Sequence, residues 1–150
     1  MNHFQRILMC GLLLLLWAAP SLTEAQCRDQ SLIWGDDDFG GAVAIEDTIV
    51  AVGARLYDFP ANDAGRVFMY RRGSADWNLG QALMAFDASA GAAFGTAVSV
   101  SPQVVVIGAP GEDSEGTNAG AVYIFRYNGV TWEPEVKITA PDASENAEFG

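Results

Sequence analysis

An internal repeat constrains this chain more than any other feature of its sequence. Phe39-Gly40 recurs 55 positions later as Phe94-Gly95, and after the same interval again as Phe149-Gly150. The interval also links four further pairs without insertion or deletion: Gly53-Ala54 and Gly108-Ala109, Gly65 and Gly120, Trp77 and Trp132, and Asp87-Ala88-Ser89 and Asp142-Ala143-Ser144. A fixed period of this length is the signature of stacked repeat units. We therefore divide the chain into two complete copies, 39–93 and 94–148, with 149–150 beginning a third.

Each copy predicts four short strands and no helix. The apolar and β-branched segments predict strands over 41–45, 48–53, 65–71 and 77–84 in the first copy, and over 97–100, 103–108, 120–127 and 131–138 in the second. The third strand alternates with a period of two, and neither copy has a helical period. Asn128-Gly129 predicts a two-residue hairpin with positive φ at both turn positions. The predicted fold class is all-β, with blades of four antiparallel strands in a β-propeller.

Several recurring residues have a structural interpretation. The glycines at 40, 53 and 65 recur at 95, 108 and 120, which indicates close approach of neighbouring blades or turns with positive φ. The run over 122–125 is apolar on both faces, so we expect it to be sandwiched between blades. Trp77 and Trp132 occupy one blade position and are interpreted as packing residues, with ligand stacking as the alternative.

The N-terminal segment 1–25 has the organisation of a secretory signal peptide. His3 and Arg6 precede an apolar run over 7–19, which at about thirteen residues is shorter than the roughly 20 that a membrane-spanning helix needs. The segment ends in small residues up to Ala25. We predict cleavage after Ala25, a secreted, extracellular or periplasmic protein without a transmembrane segment, and a leading segment over 26–38.

Residue types restrict the chemistry of the remaining chain. Residues 26–150 contain no histidine, and Cys27 is their only cysteine. This composition excludes an intrachain disulfide, histidine-dependent nucleophile pairs and histidine metal sites. A glycosidase needs only two carboxylates, but no such pair stands out. The sequence therefore predicts a protein that is not an enzyme.

The chain is strongly acidic. Removal of 1–25 takes away Arg6 and Glu24, so 8 basic and 19 acidic residues become 7 and 18, and the net charge stays at −11. Such a chain is repelled by nucleic acid and by anionic membranes. The acidity has two interpretations, solubility outside the cell or the binding of cations or of a basic partner.

Two short motifs carry a resemblance to a known family. Phe94-Gly95 and Gly108-Ala109-Pro110 are the pieces that give the FG-GAP repeat its name, and the chain resembles that family over 39–150. The first copy has Phe39-Gly40 and Gly53-Ala54-Arg55, without the proline. The resemblance implies a closed ring of about seven blades, as in integrin α-subunits and many secreted bacterial proteins, used for adhesion or protein contact. The segment 132–140 resembles the fourth strand of the secreted, non-integrin branch.

The sequence departs from the integrin pattern at one place. Integrin-type blades that bind calcium carry an Asp-rich hairpin between the Phe-Gly strand and the Gly-Ala-Pro strand. That connection is only Glu46-Asp47 in the first copy and Ser101-Pro102 in the second. Calcium takes six to eight oxygen ligands, which two residues cannot supply. We therefore expect no integrin-type calcium site and no metal or cofactor, apart from weak cation binding in the Asp-rich loops, which stays open.

The acidic residues cluster instead in the loop after Gly-Ala. The candidates for partner contact are Asp58 and Asp63 in the first copy and Glu112, Asp113, Glu115 and Asn118 in the second. Asp58 aligns with Asp113, and Asp63 with Asn118. Asp and Asn are also common turn formers, so turn formation, partner contact and a weak cation site all remain open. The acidic run 36–38 aligns with 91–93 and is interpreted as a solvated leading segment outside the repeat.

Three functions are compatible with these features. The first is a secreted, non-enzymatic β-propeller module for protein binding or adhesion, whose partner is an extracellular protein or surface ligand. The alternatives are an accessory propeller of a larger extracellular hydrolase and a structural surface repeat protein. Two blades cannot close a ring and leave strand edges open. We therefore expect further blades, either in a longer chain of which these residues are a fragment or in other copies.

Overall fold

The computed structural model describes residues 37–150, and in this range all regular secondary structure is β. The first sheet contains β1 (Phe39–Glu46), β2 (Ile49–Ala54), β3 (Arg66–Arg72) and β4 (Trp77–Leu83). The second contains β5 (Ala97–Val100), β6 (Val104–Ala109), β7 (Ala121–Tyr127) and β8 (Trp132–Thr139). Both sheets are antiparallel with strands in chain order. The predicted all-β class with four-stranded blades is confirmed, and we name the sheets blade 1 and blade 2. The predicted signal peptide and residues 26–36 lie outside the described residues.

The repeat interval is preserved in the strand register. Val50 pairs with Tyr70 in blade 1, as Val105 pairs with Phe125 in blade 2. Successive side chains of a strand point to opposite faces of its sheet. Residues that are one repeat apart therefore lie on the same face of their respective blades.

Each blade has two different faces, and the core lies between the blades. We define face A by Val105, Ile107, Tyr123, Phe125 and Trp132 of blade 2 and the residues one repeat earlier in blade 1. We define face B by Ile49, Ala51, Val67, Met69, Gln81 and Leu83 of blade 1 and the residues one repeat later in blade 2. Face A of blade 2 packs on face B of blade 1, and the apolar side chains named here are at most 5% exposed.

The blades approach each other closely where Phe94-Gly95 crosses blade 1. A Cβ atom on Gly53 would lie 2.1 Å from the carbonyl oxygen of Gly95. Gly65 has a φ of +83°, and its Cβ would lie 2.1 Å from the carbonyl oxygen of Phe94. A side chain at either position would separate the blades, which explains why glycine recurs there.

The connection between the blades runs along the β2–β3 loop of blade 1. The N–H groups of Gly91, Ala93 and Phe94 donate to the carbonyls of Asn62, Asp63 and Ala64 at 2.9, 3.0 and 3.0 Å. The same three bonds recur one repeat later, with distances of 2.8, 3.0 and 3.0 Å. The path of the chain from one blade to the next is therefore part of the repeat.

The interpretation of the acidic run 36–38 places it outside the repeat. For the backbone of Asp37 and Asp38 this interpretation is wrong. Asp38 and Ala93 have the same φ of 54°. The carbonyl of Asp37 accepts from Leu56 N–H at 3.2 Å, as that of Ala92 accepts from Gly111 N–H at 3.2 Å. The main chain repeats here although the side chains do not, because these bonds use only backbone atoms.

The predicted Asn128-Gly129 turn is also wrong in its type. The connection between β7 and β8 runs over 128–131, and only Gly129 has positive φ. The Asn128 side-chain Oδ1 accepts from the N–H groups of Val130 and Thr131, both at 2.9 Å. These side-chain bonds close a wider loop and make a left-handed Asn128 unnecessary.

The two tryptophans lie in different environments. Trp132 is 5% exposed, and the centre of its ring lies 5.2 Å from the centre of the Tyr127 ring, whereas Trp77 is 40% exposed. Trp132 belongs to the face that packs on blade 1, and Trp77 to the outer face of blade 1. Likewise Tyr123 and Phe125 are buried while Val122 and Ile124, on face B of blade 2, are half-buried.

Candidate partner-binding edge

The antiparallel order places all predicted partner-contact residues at one edge of the sheets. The β2–β3 loop (55–65), the β6–β7 loop (110–120) and the segments that follow β4 (84–96) and β8 (140–148) share this edge. We name it the loop edge. The connections at 47–48, 73–76, 101–103 and 128–131 form the opposite, hairpin edge.

An aspartate holds each of the two long loops in the same way. Asp58 Oδ1 accepts from Asp63 N–H at 3.0 Å, and Asp113 Oδ1 accepts from Asn118 N–H at 2.7 Å. Asp63 and Asn118 both have a φ of 50°, a left-handed conformation that Asp and Asn tolerate better than other side chains. The aligned acidic positions therefore set the shape of the loops.

Glu112 differs from the other candidates because its side chain is turned inward. It is 5% exposed, and its Oε1 lies 2.9 Å from Lys137 Nζ. Its two carboxylate oxygens also accept from the N–H and the hydroxyl of Ser114, at 3.0 and 2.8 Å. A carboxylate engaged in this way belongs to the interior of the loop.

Lys137 extends this contact into a polar network across the blade connection. Its Nζ also lies 2.7 Å from Asp87 Oδ2, and Asp87 Oδ1 accepts from the Tyr123 hydroxyl at 2.7 Å. The network ties the segment after β4 to β7 and β8. Sequence reasoning missed it because Lys137 aligns with Ala82 and Glu112 with Tyr57, so the repeat contains no signal for it.

The network shifts the pKa of three of its groups. Burial by itself raises the pKa of Asp87, but hydrogen bonds from Lys137 and Tyr123 and the lysine charge outweigh it and lower that pKa. Burial lowers the pKa of Lys137, but the carboxylates of Asp87 and Glu112 outweigh it and raise that pKa. Burial and the bond to Asp87 raise the pKa of Tyr123. Lys137 is thus held protonated as the cation of this network.

The exposed charge of the loop edge is acidic. Arg55 pairs with Asp38, the Arg66 guanidinium lies 4.5 Å from the Tyr57 ring centre, and Lys137 is engaged in the network. Arg71, Arg72 and Arg126 lie near the hairpin edge instead. The exposed carboxylates of the loop edge are Asp87 of the network and Asp58, Asp63, Asp113, Glu115, Asp142, Glu145 and Glu148. The half-buried Asn118 donates from Nδ2 to Asn146 Oδ1 at 3.2 Å.

A cleft of about 330 Å³ opens at the loop edge between the blades. Arg55, Thr96, Pro110, Asn118 and Glu148 are among its lining residues. The cleft brings residues of both long loops to one concave surface. The loop edge is therefore concave as well as acidic.

Within residues 37–150, no three His, Cys, Asp or Glu side chains are grouped so that they could hold a metal ion. The β1–β2 connection is Asp47-Thr48, and the β5–β6 connection spans 101–103. The described part of the chain has no helix of the length and apolar character needed to span a membrane.

The sequence matches the family model of the FG-GAP repeat over residues 33–70 and 77–125. Comparison with curated proteins found no match.

Proposed function

This chain belongs to the FG-GAP repeat family, and from that premise we propose that it is a secreted, non-enzymatic binding module whose loop edge contacts an extracellular protein. Repeats of this family suggest a β-propeller-like module, generally serve protein binding and are typically extracellular. The signal-peptide pattern of residues 1–25 supports export.

The observation that carries this proposal is the equal construction of the two long loops. Asp58 and Asp113 hold them with equivalent bonds, and the blade connection braces each loop at Asp63 or Asn118. A loop that is already ordered loses little conformational entropy when a partner binds. Binding residues often lie on loops that a rigid scaffold positions.

The charge of the edge indicates the kind of partner. Asp63, Asp113 and Glu115 are exposed, and the nearby cations are engaged within the chain. Complementary charge favours encounter with a basic surface and disfavours an acidic one. The partner we propose is therefore an extracellular protein that presents basic side chains.

The test uses fluorescently labelled chain on an array of immobilised, purified extracellular proteins. The loop-edge variant combines Asp63→Asn, Glu115→Gln and Glu145→Gln, three exposed positions. The matched control removes three charges near the hairpin edge, with Glu46→Gln, Asp47→Asn and Glu133→Gln. We expect salt-sensitive binding to basic proteins that the loop-edge variant weakens by about tenfold and the control leaves unchanged. Equal effects of the two variants, or no protein bound at all, would refute the proposal.

A further inference from the structure

The two outer faces of the blade pair expose apolar side chains whose counterparts one repeat away are covered at the interface between the blades. On face A of blade 1, Val43 and Ile45 are 59% and 64% exposed, whereas their counterparts Val98 and Val100 pack against the core. On face B of blade 2, Ile138 is 41% exposed, whereas its counterpart Leu83 is 2% exposed. Contiguous exposed apolar surface of this kind indicates an interaction site.

By the repeat, the two outer faces are equivalent to the two faces that pack on each other inside the chain. Face A of blade 2 packs on face B of blade 1, and the outer faces are face A of blade 1 and face B of blade 2. We propose that face B of blade 2 binds face A of blade 1 of a second copy of this chain, head to tail. The occupant is inferred from the repeat, because each position of the new interface has a counterpart one repeat away in the existing one.

The correspondence can be followed side chain by side chain. Trp77 of the incoming copy takes the place of Trp132, which is buried between the blades. Ile138 of the receiving copy takes the place of Leu83. A contact between two different surfaces leaves one of each free on the pair, so further copies add until a ring closes or an open chain forms.

Three contacts of polar side chains across the internal interface have no counterpart between copies. The Arg71 guanidinium lies 4.7 Å from the Tyr127 ring centre, but the corresponding residues, Arg126 of the receiving copy and Arg72 of the incoming copy, carry like charges. Gln81 binds the backbone of Trp132, but its counterpart is Val136. Asp87 binds Tyr123 and Lys137. Its counterpart Asp142 would face Phe68 and Ala82 of the incoming copy. The association is therefore weaker than the packing of the two blades within a chain, and we expect it to be reversible.

Residues 149–150 compete with the incoming copy. Phe149-Gly150 lies against blade 2 as Phe94-Gly95 lies against blade 1, with Phe149 N–H donating to Ala119 at 3.0 Å. In the assembly this place belongs to Phe39-Gly40 of the second copy. Binding must displace these two residues, which weakens the association further.

The experiment uses one variant for each face and measures mass by light scattering over a range of concentrations. Trp77→Asp places a charge on face A, and Ile138→Asp on face B. We expect the mass of the unchanged chain to rise with concentration, while each variant alone stays monomeric. A one-to-one mixture of the variants is expected to form a dimer and nothing larger. The unchanged face B of the Trp77→Asp chain binds the unchanged face A of the Ile138→Asp chain, and the two faces left free on the dimer both carry the substitutions.

The mixed dimer also shows that both variants fold, since an unfolded variant would have no intact face with which to bind the other. Val130→Asp is the control, because Val130 is 83% exposed on the β7–β8 connection and belongs to neither face; it should assemble like the unchanged chain. A chain that stays monomeric up to about 1 mM would overturn the proposal, as would assembly of either variant alone, which means like faces pair. A native product that extends beyond residue 150 and is monomeric would also overturn it, since a further repeat then covers face B.

A gain of affinity gives a second, independent test. Val136→Gln restores the glutamine that face B of blade 1 has at position 81, so its amide can bind the backbone of Trp77. We expect the dissociation constant of the head-to-tail contact to fall by about tenfold. Val136→Asn, whose amide is one methylene shorter, should not strengthen the contact. No gain with glutamine, or an equal gain with asparagine, would contradict the proposed alignment of the faces.

Discussion

Gln81 on the outer strand of blade 1 binds both backbone polar groups of Trp132 on blade 2. Its Oε1 accepts from Trp132 N–H at 2.8 Å, and its Nε2 donates to the Trp132 carbonyl at 3.0 Å. One side chain thus connects the outer strands of the two blades and satisfies a backbone that is partly buried at the interface.

We expect Gln81→Ala to lower the free energy of unfolding by about 2 kcal/mol, because it leaves the N–H and the carbonyl of Trp132 without partners. The measurement is a urea titration followed by tryptophan fluorescence. Gln103→Ala in the exposed β5–β6 connection is the control and should change stability by less than about 0.5 kcal/mol. Equal losses in both variants would contradict the bridging role.

Lys137→Met is expected to destabilise the chain by about 3 kcal/mol, since it leaves the buried Glu112 carboxylate without its cation. Arg126→Met is the matched control, because Arg126 pairs with the exposed Glu135 and such pairs contribute at most about 1 kcal/mol. The double variant Lys137→Met with Glu112→Gln should recover part of the loss. An effect no larger than that of Arg126→Met would argue against a buried network.

The network also predicts how stability depends on pH. The pKa of Asp87 is lowered from 3.8 in the folded state, so below pH 3.8 the unfolded chain binds more protons. The stability that Asp87 contributes is therefore present above pH 3.8 and lost as the pH falls through its lowered pKa.

At alkaline pH stability is expected to fall as the pH rises. The pKa values of Tyr123 and Lys137 are raised from 10.0 and 10.5, so the stability that they contribute is lost as the pH rises above 10.0. Urea midpoints measured across both ranges should fall at each end. The Asp87→Asn variant should lose less stability at the acid end than the unchanged chain, and equal acid slopes would rule out Asp87 as the source.

Gly53→Ala tests the close approach of the blades. The new methyl group would lie 2.1 Å from the Gly95 carbonyl oxygen, so the blades must separate, and we expect a loss of about 3 kcal/mol. Gly80→Ala is the control, because its methyl group would lie 3.5 Å from the nearest atom, an ordinary contact. Thermal unfolding of both variants measures the difference. A Gly53→Ala chain as stable as Gly80→Ala would mean that the blades are not in contact there.

The sequence by itself determined the strands and their order. Residues that recur at a fixed interval must occupy equivalent places, so one interpretation of strand and turn applies to both copies. The strands β1 to β8 begin and end within a few residues of their predicted bounds. The type of the Asn128 turn was predicted wrongly, because a side-chain bond, rather than the backbone preference of Asn-Gly, closes that loop.

Only the tertiary structure decided which of two equivalent residues is buried. Trp77 and Trp132 have the same strand position, but only Trp132 packs against a neighbouring blade. It also separated Glu112 from Asp113, adjacent in the sequence, by pairing the first with Lys137 inside the loop and exposing the second. Burial and ion pairing depend on residues that are distant in the chain, such as Asp87 and Lys137, and a repeat pattern contains no information about side chains that differ between its copies.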